Sequence, residues 1–314
     1  MANFIDLSNI TYAGKEGQEI FSRDMYSLDL RNAGVTLMDN VKGKQKIYTG
    51  EIGDAYQLYT CPFTPQGSAS LAESFIEPAA VKVNQENCYD TFWNTFLVEQ
   101  TEISLNGGIP KTFGDWYFGK LRQKMAREYQ EMFWNGDTAY TGATKQYLKA
   151  VDGVGKKLAA DAGAKIPVTA FTVNNILAQV EGAISTALAN ANAGEYSTEN
   201  FKVLMNFGDV QLLKMALGKI CCPNNESIFS NYAKGADGGV IIYGIEVIPT
   251  LQKKNTIIVG DPRNLVLGFD TFSNSIEYKL IDMRETTGDN TFRVIALTNI
   301  AVGILFPEGF VYVS

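Results

Sequence analysis

The stretch that decides the fold is FGDWYFGKLRQKMAREYQEMFWNGD, residues 113–137. Apolar side chains recur in it at every fourth position with charged residues between them, a period typical of an amphipathic helix. We therefore predict a long helix over 113–134, with Thr112 as its N-cap and Gly136 as a left-handed C-cap. The aromatic end of this helix indicates a buried anchor in a core or at an interface. The apolar stripe consists of Phe113, Tyr117, Leu121, Met125, Tyr129 and Phe133, and Trp134 follows the last of them.

The composition excludes several classes of catalytic site. The 314 residues include no histidine, so Ser-His-Asp catalysis, Cys-His catalysis and histidine-ligated metal or haem sites are ruled out. A net charge of −7 predicts that the chain does not bind nucleic acid tightly, because a nucleic-acid reader usually carries a basic face. None of the four cysteines forms a Cys-x-x-Cys pair, which favours reduced thiols. They are Cys61, Cys88, Cys221 and Cys222.

The motifs that suggest chemistry fail on inspection. Gly114 to Lys120 fits G-x-x-x-x-G-K, but Leu121 stands where a phosphate-binding loop needs Ser or Thr, and the segment falls on the predicted helix. We predict no catalytic residue, no cofactor-binding residue and no metal ligand, and therefore no cofactor and no enzymatic activity. A carboxylate pair of the glycosidase kind needs no histidine and stays open from the residues alone. The sequence shows neither a signal-peptide pattern nor an apolar run of about 18 residues, so we expect no membrane association.

The residues before the long helix contain few regular apolar patterns, so we expect them to form little core of their own. A short amphipathic helix is predicted over 18–31. Residues 47–49 and 55–59 read as strands of a two-stranded excursion that has little core of its own, and such a hairpin must lie against something else to be stable. A lysine cluster opens this excursion, consisting of Lys42, Lys44 and Lys46. Further strands are predicted at 81–83 and 103–105, on either side of an aromatic segment.

The second half alternates helix and strand and then becomes rich in β-structure. A helix follows Thr172 and ends near 192–194, a strand covers 201–205, and Asp209 is predicted to cap the next helix. Short apolar runs separated by turn residues then predict a series of strands. These cover 240–243, 245–248, 256–259, 265–269, 276–281, 291–297, 301–306 and 310–313. The fold class is therefore α+β.

The order of these elements, more than any one motif, resembles the major capsid proteins of tailed phages with the Hong Kong 97-like fold. The resemblance extends over nearly the whole chain. KMAREYQEMFWNGD looks like the end of the family's spine helix, and VIIYGIEVIPTLQKKNTIIVGDPRNLVLGFD is similar to its axial domain. The tail, RVIALTNIAVGILFPEGFVYVS, is similar to the closing strands.

The resemblance implies a division of the chain. Residues 1–37 would be an N-terminal arm and 38–80 an extended β-hairpin loop. A peripheral domain would combine 81–140, with the spine helix at 113–134, and 272–300. An axial domain would combine 141–271 and 301–314. The apolar stripe and Trp134 would then anchor the spine helix during assembly, and Lys42, Lys44 and Lys46 would be possible contacts between subunits.

The resemblance also implies a function and partners. The chain would assemble with itself, as pentamers and hexamers, into an icosahedral shell that encloses double-stranded DNA without sequence-specific binding. It would be made in the host cytoplasm and reside in the virion. Because the spine helix begins only about 112 residues from Met1, we expect a separate scaffolding protein or a precursor that has already been cut. A portal protein is expected, and a decoration protein is a further possible partner.

Other functions remain open from the sequence. An encapsulin-type nanocompartment shell resembles the same fold and packages enzymes instead of DNA. Another virion structural protein, such as a tail-tube subunit, would lack so long a helix. An acidic hydrolase would need a cleft lined by carboxylates.

Overall fold

Two six-stranded sheets and one two-stranded hairpin make up the β-structure of the described residues. The structure, a computed structural model, describes residues 11–12, 30, 33–52, 56, 58–59, 61, 69–105, 113–194, 197–220, 239–269, 278–284 and 287–314. The helices are α1 (Tyr89–Leu105), α2 (Phe113–Asn135), α3 (Val154–Asp161), α4 (Ile176–Gly194) and α5 (Phe207–Ile220). The strands are β1 (Thr11–Tyr12), β2 (Thr36–Met38), β3 (Gln45–Ile52), β4 (Ala69–Ile76), β5 (Ala79–Cys88), β6 (Ala164–Ile166), β7 (Lys202–Asn206), β8 (Val240–Ile242), β9 (Ile245–Thr250), β10 (Ile257–Gly260), β11 (Leu265–Phe269), β12 (Tyr278–Asp282), β13 (Thr291–Ile304) and β14 (Val311–Val313).

The first sheet is built around β13, a strand of 14 residues. The sheet runs in the order β1-β12-β13-β11-β2, and β5 also pairs with β13. β13 pairs antiparallel with β5 from Thr291, opposite Cys88, to Ile300, opposite Ala79. One strand thus holds together parts of the chain that lie about 200 residues apart.

The burial pattern of β13 changes along its length. Near its start, Phe292, Val294 and Ala296 are buried while the residues between them are exposed, because only one face of the sheet is covered. From Ile300 to Ile304 every residue is buried. There the other face is covered by a small cluster that includes Val41 and Ile76. The sequence predicted two strands at 291–297 and 301–306, and this part of the prediction was wrong because β13 runs without a break from Thr291 to Ile304.

The second sheet separates two hydrophobic cores. It runs in the order β6-β14-β10-β7-β9-β8. Successive residues of one strand face opposite cores: Ile257 and Val259 pack with α4 and α5, whereas Ile258 packs with the core around α2. Burial on both faces explains why these strands are continuous apolar runs and not alternating ones.

The predicted α+β class is confirmed, and several elements match closely. The long helix predicted over 113–134 is α2, Phe113–Asn135. The helix predicted after Thr172 is α4, which ends at Gly194. Tyr243 and Gly244, with φ of 49° and 82°, form the tight turn between β8 and β9, in a conformation that two-residue hairpin turns favour.

One predicted strand was wrong because the aromatic segment before it is helical. Residues 103–105 belong to α1, which begins at Tyr89. The aromatic residues Tyr89, Phe92, Trp93 and Phe96 recur at helical spacing, so α1 places them together against α2. The strand prediction followed the alternation of Ile103, Ser104 and Leu105, which is too short a pattern to distinguish a strand from the end of a helix.

Two local predictions were also wrong. Asp209 does not cap α5. The helix begins at Phe207, and the Asn206 side chain accepts a hydrogen bond from the Gly208 amide at 2.9 Å, as an N-cap does.

Residues 56, 58 and 59 of the predicted strand 55–59 are not in a strand, and the partner of β3 is instead β4. The N-cap Thr112 and the predicted helix 18–31, apart from Leu30, lie outside the described residues.

Gly136 ends α2, but it does not adopt the left-handed conformation that the sequence predicted. Its amide donates to the Met132 carbonyl at 2.9 Å, and its own carbonyl accepts from the Gly153 amide at 2.9 Å. A Cβ on Gly136 would lie 2.3 Å from the Val151 oxygen, and one on Gly153 would lie 2.6 Å from the Gly136 nitrogen. Glycine is needed at both positions because two backbone segments touch there.

We predict that Gly136→Ala and Gly153→Ala each lower the free energy of unfolding by about 1–3 kcal/mol, the usual cost of overpacking. The added methyl group cannot fit without moving backbone atoms. Urea denaturation followed by circular dichroism measures the change.

Gly182→Ala is the matched control. Gly182 lies inside α4, and a Cβ there meets no atom within 4 Å. This substitution should raise stability by up to about 1 kcal/mol, since alanine is the better helix former. A loss at position 182 as large as that at 136 would contradict the close-contact explanation.

Candidate functional site

The apolar stripe of α2 lies inside the subunit. Six of the seven predicted anchor residues are buried, and Met125 is half-buried against the same core. The buried members are Phe113, Tyr117, Leu121, Tyr129, Phe133 and Trp134. The structure thus brings all seven together in the core of one chain. Their role in assembly remains a prediction.

The start of α2 is fixed by a cluster of aromatic rings. The Phe113 ring centroid lies 5.3 Å from that of Tyr89, 5.5 Å from that of Phe96 and 5.3 Å from that of Phe292. Most of these contacts are tilted or edge-on, the geometries that aromatic pairs prefer. The cluster joins α1, α2 and β13 at one point.

Polar groups along α2 set its position on the sheet. The Tyr117 hydroxyl donates to Gln85 Oε1 at 2.8 Å and accepts from Asn87 Nδ2 at 2.9 Å. The Tyr129 hydroxyl donates to the carbonyl of Asn299. Both hydroxyl groups therefore have partners on the first sheet, as buried polar groups require.

The aromatic end of α2 is buried in the core around this helix, next to the residues that follow β9. The Phe133 and Trp134 rings pack edge-on with centroids 4.9 Å apart. Next to them, Asn135 Nδ2 donates to the Leu251 carbonyl at 2.7 Å, which ties the helix end to the loop after β9. Trp134 and Leu251 also line a mostly apolar cavity of about 310 Å³, together with Phe207 of α5.

The segment that follows α2 is tied back to the helix by Glu131. This buried carboxylate accepts from Lys145 Nζ at 2.8 Å and from the Tyr147 hydroxyl at 2.5 Å, and Arg127 lies 3.6 Å away. Burial alone would raise the pKa of Glu131, but the hydrogen bonds from Lys145 and Tyr147 and the two positive charges outweigh it and hold the pKa below its usual range. The sequence reading missed this network, because its partners lie 14 and 16 residues from Glu131 along the chain.

A second ion pair closes the base of the same segment. Lys156 Nζ lies 2.7 Å from Asp137 Oδ1 and 2.8 Å from Asp152 Oδ1. Together with the contact between Gly136 and Gly153, it joins the two ends of the segment 137–152. The passage from α2 to α3 is therefore a closed loop and not a loose linker.

The β3–β4 hairpin carries the three lysines singled out in the sequence. Lys46 Nζ lies 2.8 Å from Glu73 Oε2, and Lys44 Nζ lies 4.6 Å from the centre of the Phe75 ring. Lys42 is exposed at the base of the hairpin. Lys44 and Lys46 thus gather on one hairpin face, and the role of the three lysines in contacts between subunits remains a prediction.

The hairpin and the described residues between its strands, here called the hairpin segment, also expose apolar side chains. Tyr48 and Phe75 are exposed on one of its faces. Tyr56, Leu58 and Tyr59, which follow β3, are between 91 and 97% exposed. Side chains of this kind are usually covered, so the segment presents contact surface that its own subunit does not use. The sequence signal for this was the lack of a core in 38–80.

Groups that could perform chemistry are sparse in the described part of the chain. It contains no cluster of three or more His, Cys, Asp or Glu side chains able to hold a metal ion. Cys61 and Cys88 are exposed free thiols, while Cys221 and Cys222 lie outside the described residues. Among the described helices, none is long and apolar enough to cross a membrane.

Comparisons with known proteins support the fold. No protein-family model matches the sequence, and no curated protein matches it. The structure is similar to one from the satellite phage P4 procapsid including the size determination (Sid) protein, with a TM-score of 0.63 at 11% identity over 95% of this chain and 90% of the other. A structure from Gordonia phage Cozz has a TM-score of 0.52 at 12% identity over 91% and 85% of the two chains. The capsid of an empty GTA particle gives a TM-score of 0.52 at 11% identity over 91% and 88%.

These structures are phage capsid proteins or their relatives, and the likeness covers nearly all of each chain. At such low identity the likeness establishes the fold alone. The chain has a capsid-protein fold, and the resemblance found in the sequence is confirmed at that level.

We predict that Glu131→Gln lowers the free energy of unfolding at pH 7 by about 1–3 kcal/mol, the range for breaking a buried, charge-assisted hydrogen-bond network. Because the pKa of Glu131 is lower in the folded chain than its ordinary value of 4.5, the stabilisation is present above pH 4.5 and is lost as the pH falls through the folded-state pKa. The difference between variant and wild type should therefore shrink on acidification. Urea denaturation at several pH values between 7 and about 3.5 measures it.

The control is Glu86→Gln, on the surface of the first sheet. Glu86 Oε2 lies 2.9 Å from Arg293 Nε, but both side chains are 49% exposed. This substitution should change stability by no more than about 0.5 kcal/mol. A loss for Glu131→Gln that stays constant with pH would show that the carboxylate charge is not responsible.

Proposed function

We propose that this chain is a major capsid protein, which assembles with itself into the icosahedral shell that encloses the double-stranded DNA of a tailed phage. The observation that carries the proposal is the likeness to the P4 procapsid structure over nearly the whole of both chains. A structural similarity over part of the chain could reflect one shared domain. A similarity over 95% of this chain also includes segments outside the two hydrophobic cores.

The hairpin segment supports an assembly role. Its base is held by a small cluster with Val266 and Ala301, but Tyr56, Leu58 and Tyr59 are almost fully exposed. A shell subunit must bury surface on several neighbours, and a standard interface buries about 1,600 Å² in total. A hairpin with exposed apolar side chains increases the area that one subunit can offer to others.

The Hong Kong 97-like arrangement is part of the proposal. The hairpin β3–β4 falls within the extended loop 38–80, and α2 would be the spine helix of the peripheral domain. The strands of the second sheet fall within 141–271 and 301–314, the ranges of the axial domain. β11 lies within the first of these ranges but pairs with β13 and β2 of the first sheet. We therefore place the boundary of the axial domain before residue 265.

The partners follow from this function. Copies of the chain would form pentamers and hexamers, with a separate scaffolding protein, a portal and possible decoration proteins. The DNA would be enclosed without sequence-specific binding, and no membrane would be involved. The protein would be made in the host cytoplasm and reside in the virion, and it would act as a structural protein and not as an enzyme.

The first test is assembly. The full chain, co-expressed with the genes that neighbour its own, is passed over a sizing column and imaged by negative-stain electron microscopy. Closed shells, or rings of five or six subunits, are the expected result. A monomer that never assembles under these conditions would refute the proposal, and shells filled with enzyme instead of DNA would identify a nanocompartment.

We predict that replacing Tyr56, Leu58 and Tyr59 together by serine reduces the yield of shells about tenfold or more. The loss follows from removing large anchors at an interface, where about 1.4 kcal/mol corresponds to a factor of ten. The isolated subunit should keep its stability within about 0.5 kcal/mol, because these side chains are exposed in it. Quantitative sizing chromatography and urea denaturation give the two values.

The matched control is Tyr56→Phe, Leu58→Met and Tyr59→Phe in one chain. It preserves the apolar area and should assemble like the wild type. Normal assembly of the serine variant would show that these residues do not form subunit contacts.

A further inference from the structure

The middle of α2 is basic in a chain that is acidic overall. Residues 116–127 contain Lys120, Arg122, Lys124 and Arg127 and no acidic residue, although the chain has a net charge of −7. Lys120, Lys124 and Arg127 are spaced by four and three residues, so they lie along the same side of the helix. All three side chains are exposed.

The carboxylates that pair with these cations lie deeper than the cations do. The exposed fraction of the side chain is 56% for Lys120 and 33% for its partner Glu99. It is 64% for Lys124 and 26% for Glu128. Arg127 is 67% exposed above Glu131 at 12%, and Lys145, which shares Glu131, is 53% exposed. Positive charge therefore forms the outer layer of this surface.

The lysines of the hairpin do not have this arrangement. Lys46 is 50% exposed beside Glu73 at 42%, and Lys44 is 56% exposed beside Glu77 at 74%. There the acidic partners reach the solvent as fully as the lysines, so the two signs of charge compensate at the surface. Arg263 with Asp261 (60% and 13%) and Arg284 with Asp282 (39% and 6%) show the same asymmetry as isolated pairs, whereas on α2 three such cations follow one another along one helix.

We propose that Lys120, Lys124, Arg127 and Lys145, here called the basic stripe, contact the phosphate backbone of the enclosed nucleic acid without reading its sequence. This inference rests on the proposed function and names the surface that faces the DNA. At 1.5 Å per residue, successive cations of α2 lie about 6 and 4.5 Å apart along the helix, close enough to engage neighbouring phosphates of one strand.

The side chains around the stripe favour nucleic acid over an acidic protein. None of the described residues of α2 is an exposed large hydrophobic side chain, and the exposed Leu97 and Val98 nearby belong to α1, next to Glu99. A protein partner needs buried apolar anchors at the centre of its interface. Contacts made by Lys and Arg alone are instead the usual mode of sequence-independent phosphate binding. The expectation from net charge, that the chain would not bind nucleic acid tightly, fits a weak contact of this kind.

The first experiment compares two variants with the same change in charge. Lys120→Gln, Lys124→Gln and Arg127→Gln neutralise the stripe, whereas Lys42→Gln, Lys44→Gln and Lys46→Gln neutralise the hairpin cluster. Binding of the unassembled full chain to a fluorescent duplex of about 30 bp is measured between about 50 and 200 mM salt. The stripe variant should bind about tenfold more weakly at low salt, and its log–log salt slope should fall in magnitude by about 2.7, or about 0.9 for each lost contact.

The hairpin variant should bind within about twofold of the wild type, since both variants lose three positive charges and only the surface differs. A third variant, with Lys120→Arg, Lys124→Arg and Arg127→Lys, keeps the charge and should retain binding. Equal losses in the stripe and hairpin variants would overturn the proposal, because only total charge would then matter.

A second measurement needs no variant, in case the stripe variant does not fold. Lysines of the wild-type protein are acetylated with and without the duplex, and protection is read by mass spectrometry. Lys120, Lys124 and Lys145 should be protected and Lys42, Lys44 and Lys46 should not. Protection by poly-L-glutamate but not by the duplex would overturn the proposal in favour of an acidic protein partner.

Failure of this inference is distinguishable from failure of the proposed function. Shells that form and contain DNA, in a protein whose stripe lysines are not protected, would leave the capsid function intact and refute the stripe. A chain that does not assemble would refute the capsid function, whatever the binding measurements give.

Discussion

The packing of the aromatic side of α2 against β13 is the contact on which the rest of the structure depends. α2 has 23 residues, about 34 Å of helix, and its stripe of large apolar side chains must be removed from water along that whole length. β13 is long enough to cover it and is buried where the helix lies, at Phe292, Val294 and Ala296. β5 and β12 pair with β13, so their places follow from the same contact.

The second core is added to the first through shared strands. Ile258 and Tyr312 face the core around α2, while their neighbours on β10 and β14 face α4 and α5. The passage from α2 into this second layer is fixed by the backbone contact of Gly136 with Gly153 and by the partners of Glu131. The end of the long helix is held to the second sheet by the hydrogen bond from Asn135 to the Leu251 carbonyl.

The exposed surface of the subunit is apolar in one region and positively charged in another. The hairpin segment exposes apolar side chains, as a surface that contacts other subunits would. α2 instead exposes cations, and the carboxylates paired with them are less exposed than the cations. The net charge of an acidic chain conceals this, because it sums over all surfaces. A partner experiences only the local distribution of charge.

The sequence by itself determined the extent of α2, the positions of most strands and the presence of a two-stranded hairpin, because hydrophobic period and turn residues are local properties. It also carried the signal for α1, in aromatic residues at helical spacing, although the short alternation at 103–105 suggested a strand instead. Only the tertiary structure decided why Gly136 is a glycine, that β13 runs unbroken, and how Glu131 is held. Each of these depends on atoms far away in the chain, since a close backbone approach, a buried carboxylate and a covered sheet face exist only after distant segments have packed together.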